Sequence, residues 1–150
     1  RDNIKAHDIL TKGLERHPGN KMMLNNLAYN YLLLGDIGKA RTILDGINEP
    51  ENIFVNATRG LLLIKEENVE EGRRLYNLAE KLASNDTMLR NLIKQKKHLE
   101  LAKYHYSRDE INKAADNLKQ VIRLKAKYNY YAEQALSLNQ MISTKKSVTP

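Results

Sequence analysis

The sequence predicts an all-α fold of antiparallel helical hairpins, and three observations support this prediction. The 150 residues contain only 7 Gly and 3 Pro, whereas Leu, Ala, Lys and Glu, which favour helices, are abundant. Four residues recur with a period of 34, which indicates a repeated helical unit. They are Asp2, Ala6, Ile9 and Leu10, which recur as Asp36, Ala40, Ile43 and Leu44. The third observation is a spacing of twelve positions between small residues.

The small residues form three pairs, Ala28 with Ala40, Gly60 with Gly72 and Ala102 with Ala114. Twelve residues is about the distance from the middle of one helix, through a tight turn, to the facing point on the next helix. Two antiparallel helices approach closely only where neither carries a bulky side chain. Each pair therefore predicts the crossing point of one hairpin. Large apolar residues at helical spacing are expected to fill the space beside the first crossing: Leu24, Leu27, Tyr31 and Leu44.

The segment around the first pair carries ten residues in a characteristic order: Leu24, Leu27, Ala28, Tyr31, Leu34, Gly35, Asp36, Ile37, Ala40 and Leu44. With these residues, the segment resembles a tetratricopeptide repeat. In that resemblance Leu34 closes the first helix, Gly35 supplies the permissive turn backbone and Asp36 caps the second helix. The resemblance extends over most of residues 1–127 and is weaker beyond residue 85. It implies a right-handed α-solenoid of antiparallel hairpins.

We expect one repeat domain over residues 1–143. Its expected parts are the second helix of a partial repeat at 1–18, hairpins at about 21–49, 53–83 and 87–126, and a terminal helix at about 129–143. Residues 144–150 are expected to form a flexible tail. The second and third hairpins have no Leu-Gly-Asp turn and use Glu66-Glu67-Asn68 and Ser107-Arg108-Asp109. Asp86 is expected to cap a long helix. A chain that starts within a repeat, without Met, indicates a fragment of a longer protein.

The resemblance also implies a concave groove, lined by the first helices of successive hairpins, that binds a peptide or a partner protein. The positions that match groove positions are Asn25, Tyr29, Leu32, Leu33, Phe54, Thr58, Leu61, Lys65, Lys96, Leu99, Lys103 and Tyr106. Apolar anchors would supply affinity, and Asn and Lys would orient the bound chain. Tyr29, Leu33, Phe54 and Leu61 are expected to contribute most. The alternative interpretation is that several of these residues pack against the neighbouring hairpin.

The charge distribution leaves alternatives open. Residues 87–150 contain 13 Lys and Arg against 5 Asp and Glu, although the whole chain has a net charge of only +7. Cations and tyrosines mixed in one region could bind phosphates and stack on single-stranded bases. The cations are Lys94, Lys96, Lys97, Lys103, Lys119, Arg123, Lys125, Lys127, Lys145 and Lys146, and the tyrosines are Tyr104, Tyr106, Tyr128, Tyr130 and Tyr131. Nucleic-acid binding, a solvated helix face, and packing between domains or copies of the protein all fit this pattern.

The sequence does not predict catalysis, a cofactor or a metal site. It contains no glycine-rich phosphate loop, no nucleophile elbow and no Cys. His98 and His105 are seven residues apart, and the residues that lie between them on the same helix face are not of a type that binds metal ions. One tetratricopeptide subgroup binds the C-terminal carboxylate of a partner protein. Of the positions that match its binding residues, only Lys96 agrees, and the negative charge of Glu100 would repel a carboxylate. No apolar run reaches the roughly 18 residues of a membrane span. The sequence does not determine the cellular compartment, although the cytoplasm is slightly favoured.

Overall fold

A computed structural model describes residues 2–124 and 129–148, and within these ranges the chain is all-helical. None of the helices in the described ranges is both long enough and apolar enough to cross a membrane. The eight helices are α1 Asn3–Arg16, α2 Lys21–Leu34, α3 Ile37–Asp45, α4 Ile53–Lys65, α5 Val69–Leu82, α6 Thr87–Ser107, α7 Ile111–Arg123 and α8 Tyr130–Val148. The predicted all-α class is confirmed.

The chain divides into two compact units, residues 1–75 and 76–150. In the first unit α2 packs against α1, α3 and α4, and α3 also packs against α4. In the second unit α6, α7 and α8 pack against one another. The core of the second unit contains Leu99 and Ala102 of α6, Leu118 of α7, and Ala135 and Ile142 of α8. Neighbouring helices along the chain are thus packed neighbours within each unit.

Polar side chains fix where five of the helices begin. An Asp or Asn precedes each of these helices and accepts a hydrogen bond from a backbone N–H of the first turn. This satisfies donors that have no partner within the helix. The caps are Asp2, Asn20, Asp36, Asn52 and Asp86. The predicted capping roles of Asp36 and Asp86 are confirmed.

The turns after α2, α4 and α6 share one backbone conformation. Each contains a residue in the left-handed region: Gly35 (φ 87°), Glu67 (φ 66°) and Asp109 (φ 63°). The next N–H donates to a carbonyl five residues earlier, at 2.9 Å from Asp36 to Tyr31, 2.8 Å from Asn68 to Leu63 and 2.9 Å from Glu110 to His105. These bonds define a Schellman ending, which normally favours Gly. The two turns without Gly therefore keep the geometry of the Gly35 turn.

The small-residue pairs lie where the helices approach closely. Ala28, Ala40, Ala102 and Ala114 are each 0% exposed. A Cβ atom added to Gly72 would lie 2.8 Å from the Gly60 carbonyl oxygen. In each hairpin the left-handed turn residue follows the first small residue by seven positions and precedes the second by five. The spacing pattern therefore describes one hairpin frame that the chain uses three times.

The last helix differs from its expected length. α8 continues to Val148, whereas we expected it to end at residue 143 and to be followed by a flexible tail. Lys145 lies in the part of α8 beyond residue 143, and its contacts hold this part of the helix in place. Its ammonium group pairs with Asp109 and lies 5.2 Å from the centre of the Tyr106 ring. The expected end of the third hairpin at residue 126 and the last residues of the tail, 149–150, lie outside the described residues.

Candidate interaction surface

The twelve predicted groove residues separate into a buried and an accessible half. The buried ones are Asn25, Leu32, Thr58, Leu61, Lys96 and Leu99, and the accessible or half-buried ones are Tyr29, Leu33, Phe54, Lys65, Lys103 and Tyr106. Leu61 was one of the four residues expected to contribute most to partner binding. It is 0% exposed and belongs to the core. A side chain without exposed surface adds to stability rather than to binding. Packing against neighbouring helices thus explains the buried half.

The accessible residues of the first unit centre on α2 and α4. Leu33 is 39% exposed, Phe54 is 46% exposed and Tyr29 is half-buried. Met22, which is 49% exposed, extends the set because residues 22, 29 and 33 follow helical spacing on one face of α2. We call Met22, Tyr29, Leu33 and Phe54 the α2/α4 apolar surface. It exposes large apolar side chains on two helices that pack against each other.

Met22 was missed by the sequence analysis, although a signal for it was present. Met22 precedes Phe54 by 32 positions, the same interval that separates Ala28 from Gly60. Both residues lie near the start of the first helix of a hairpin, and both are about half exposed. The second helical position therefore carries a large exposed apolar side chain in both hairpins of this unit.

Asn25 adds a polar group next to this surface. It lies between Met22 and Tyr29 on α2 and is only 3% exposed. Its buried Oδ1 atom has no hydrogen-bond partner among the described residues. Thr58, in contrast, is satisfied, because its hydroxyl donates to the Phe54 carbonyl at 2.9 Å. Asn25 is therefore a buried polar residue of the first unit, and it belongs to the buried half of the predicted set.

In the second unit the two predicted groove cations share one carboxylate. The ammonium nitrogens of Lys96 and Lys103 lie 2.8 Å and 3.2 Å from Oε1 of Glu100. Lys96 also lies 5.3 Å from the centre of the Tyr131 ring of α8. The side chains of Lys96 and Glu100 are only 10% and 5% exposed. Lys96 is therefore a buried structural cation. Glu100, whose charge does not suit the binding of a carboxylate, neutralises Lys96 instead.

Most of the basic region forms contacts within its own unit. Lys97 lies 2.7 Å from Glu80, with both side chains nearly buried, and Lys113 lies 3.2 Å from Glu110. Lys119 and Arg123 on α7 are exposed. Tyr130 is 46% exposed, and its ring lies 5.3 Å from that of Tyr131. The predicted contributions of Lys125, Lys127 and Tyr128 lie outside the described residues.

The two histidines of α6 have separate partners on the following turn and helix. His98 Nδ1 lies 2.9 Å from Asn117 Oδ1, and His105 Nδ1 lies 3.2 Å from Glu110 Oε1. The Glu110 carboxyl has its pKa held below the usual range, first by the hydrogen bond with His105 and then by Lys113. In the part of the chain that the structure describes, no group of three or more His, Cys, Asp or Glu is placed to hold a metal ion.

Known proteins give no further guide to the function of these surfaces. No family model, no curated protein and no solved structure matches the chain. The tetratricopeptide resemblance therefore depends on the residues of the chain itself, and the functional argument depends on the exposed side chains described above.

Proposed function

We propose that this chain is a protein-interaction module of the tetratricopeptide type, in which the hairpins stack as a right-handed α-solenoid. In this proposal the α2/α4 apolar surface binds an apolar segment of a partner protein. One observation supports it above all: Met22 and Phe54, which are 49% and 46% exposed, occupy equivalent positions in successive hairpins, and Leu33, which is 39% exposed, lies on the same face of α2 as Met22. Scattered exposed apolar residues are ordinary, but a set that follows a repeat on adjacent helices is typical of an interaction surface.

The size of these side chains sets the expected affinity. Complete burial of one large apolar side chain contributes roughly 1.5–3 kcal/mol, and these three are already about half covered. Each can therefore add on the order of 1 kcal/mol when a partner covers it, which corresponds to a factor of five to ten in affinity. A partner segment that covers several of them at once is needed for specific binding.

Asn25 is not part of the contact surface in this proposal, because its side chain is only 3% exposed and its Oδ1 atom is buried. Contact with the partner segment depends instead on the exposed and half-buried residues of the α2/α4 apolar surface, which supply the affinity.

Selection of peptides on the protein, followed by mutation, tests this proposal. We would select binders from a random peptide library and measure their affinity for the wild type and for Leu33→Ala and Phe54→Ala. Ile122→Ala is the matched control, because Ile122 is 42% exposed on α7, in the other unit. We expect a loss of about fivefold to tenfold for each α2/α4 variant and no change for the control.

Two results would contradict the proposal. One is selection of peptides whose affinity is the same for Phe54→Ala and the wild type while circular dichroism shows both proteins folded. The other is recovery of nucleic acid alone, with binding that weakens steeply as salt is added. The second result would transfer the function to cations of the second unit, such as Lys119 and Arg123.

A further inference from the structure

Helix α4 carries two charged residues, Arg59 and Lys65, and they lie on different sides of the helix. Arg59 is directed to the end of α3, where its guanidinium group donates to the Leu44 carbonyl oxygen at 2.8 Å. Lys65 follows Phe54 by eleven residues, almost exactly three helical turns, so the two share one face. Both side chains are exposed. The face of α4 that contributes to the α2/α4 apolar surface therefore also carries one cation.

The position of Lys65 follows the hairpin frame. Lys65 comes 32 positions after Leu33, the same interval that separates Met22 from Phe54. Met22 and Phe54 lie near the starts of α2 and α4, and Leu33 and Lys65 lie at or next to the ends of these two helices. The α2/α4 apolar surface thus has one end that is apolar on both helices and another end at which a cation accompanies Leu33.

Lys65 has no partner within the part of the chain that the structure describes. It is exposed and takes part in no ion pair or hydrogen bond with the described residues. The carboxylate of the adjacent Glu66 is engaged by Arg41, whose Nε donates to Oε2 at 2.6 Å. Glu67 follows in the turn and forms no ion pair with Lys65. Lys65 is therefore available to a carboxylate from outside the described chain.

The apolar end of the surface offers no comparable charge. Lys21 is the only charged residue of α2, and it precedes Met22 directly. Its ammonium group lies 3.4 Å from the carboxylate of Glu49, so the two charges neutralise each other. A segment with a single carboxylate is therefore complementary to this surface in only one direction.

The spacing between Phe54 and Lys65 sets the spacing within a bound segment. Eleven residues of α-helix extend about 16 Å along the axis. An extended chain advances about 3.3 Å per residue, so about five residues cover this distance.

We propose that the partner segment bound by the α2/α4 apolar surface is both acidic and apolar. It places a large apolar side chain on Phe54 and, about five residues away in an extended segment, an Asp or Glu on Lys65. This inference rests on the proposed function, because it concerns the same surface. The apolar contacts supply most of the affinity, and the ion pair fixes the direction of the segment, since the reversed segment would place its carboxylate at the apolar end.

Peptide selection on charge variants tests this inference. A random peptide library is selected on the wild-type 150-residue chain and on Lys65→Glu. We expect the wild type to select peptides with an Asp or Glu at a fixed distance from a large apolar residue, and Lys65→Glu to select Lys or Arg at that position with the apolar residue retained. Lys119→Glu is the matched control, because Lys119 is an exposed lysine of α7 in the other unit. It should select the same acidic peptides as the wild type.

A double-mutant cycle then measures the contact itself. One selected peptide is synthesised with its acidic residue and with Gln in its place, and both are titrated by fluorescence anisotropy into the wild type and Lys65→Gln. The wild type should bind the acidic peptide more tightly by up to about fivefold, the range of an exposed ion pair, and Lys65→Gln should bind both equally. The preference should disappear at about 1 M salt, where screening acts over about 3 Å. Circular dichroism verifies that the variant is folded.

The outcomes separate this inference from the proposed function. Two results would overturn the inference alone: peptides that need Phe54 but share no acidic position, and equal binding of the acidic and Gln peptides by the wild type. Peptides that bind Phe54→Ala as tightly as the wild type, or selection of no peptide, would overturn both. Self-association of the wild type that Phe54→Ala abolishes would also overturn the inference, because a second copy of the chain would then occupy the surface.

Discussion

Gly72 of α5 lies so close to Gly60 of α4 that a methyl group on Gly72 would come within 2.8 Å of the Gly60 carbonyl oxygen. The same methyl group would lie 2.8 Å from Cγ1 and 3.1 Å from the backbone nitrogen of Ile64. Two of these three neighbours are backbone atoms, which cannot move aside as the end of a flexible side chain can. The hydrogen of Gly72 is therefore what permits α4 and α5 to cross at this distance.

This contact predicts that Gly72→Ala is destabilising. Ala is favoured over Gly by about 1 kcal/mol within a helix. Overpacking against the backbone costs about 1–3 kcal/mol. We therefore expect a net loss in the free energy of unfolding, measured by urea denaturation at 25 °C. The control is Gly38→Ala in α3, where an added Cβ has no neighbour within 4 Å. It should stabilise the protein by about 0.5 kcal/mol, and a stabilising effect of Gly72→Ala would show that the crossing is looser than described.

The three Schellman turns make a second prediction, concerning residues in the left-handed region. A non-glycine residue there costs roughly 1–2 kcal/mol. Glu67→Gly should therefore raise the free energy of unfolding by about 1 kcal/mol, part of the gain being lost to the greater entropy of Gly in the unfolded chain. Gly35→Ala should lower it by a similar amount. Asp109→Gly should gain less than Glu67→Gly, because it also removes the ion pair with Lys145. Urea denaturation of the three variants measures this order, and destabilisation by Glu67→Gly would contradict it.

The hairpin frame could be predicted from sequence because local features determine it. The caps Asp36 and Asp86 and the pair Ala28 and Ala40 are recognisable from residue type and spacing alone. The left-handed conformation of Glu67 could not be predicted from residue type, since Glu rarely adopts it. Its position nevertheless follows from the small pairs, because it lies seven residues after Gly60 just as Gly35 does after Ala28.

The candidate site was predictable only in part, because burial depends on neighbours from other helices. Leu33 and Phe54 were expected on the surface and are exposed, whereas Leu61 and Lys96 were expected there and are buried. The spacing within one helix shows which residues share a face but not how deeply a second helix covers it. For Lys96 a local signal did exist, because Glu100 lies four residues later, the spacing of an ion pair on a helix.

The Lys96–Glu100 pair makes a third prediction. Removing one member of a buried ion pair leaves the other charge uncompensated and costs about 3–5 kcal/mol. We expect Glu100→Leu to destabilise the protein by that amount. The double variant Lys96→Met with Glu100→Leu should recover most of the loss, since apolar replacements of similar size avoid the buried charge. A double-mutant cycle from urea denaturation measures the coupling. Additive effects of the single changes would show that the pair is screened by water and contributes little.

The fourth prediction concerns acid and the carboxylate of Glu66, which links α3 to the turn after α4. Arg41 Nε donates to Glu66 Oε2 at 2.6 Å, and this hydrogen bond lowers the pKa of Glu66 below its ordinary value of 4.5 although partial burial opposes the shift. The folded protein therefore binds this proton less readily than the unfolded chain does. The stabilisation is complete above the ordinary pKa and disappears as the pH falls through the lower pKa of the folded state.

Glu66→Gln should accordingly lower the free energy of unfolding near neutral pH by at most about 1 kcal/mol, because Arg41 is 40% exposed and water screens the pair. The difference from the wild type should shrink below the ordinary pKa and disappear in strong acid. Urea midpoints measured between about pH 2 and pH 7 follow this change, with Glu15→Gln, an exposed residue of α1, as the control. A difference that stays constant down to strong acid would contradict the prediction, because it would show that the effect of Glu66→Gln does not come from the negative charge of Glu66.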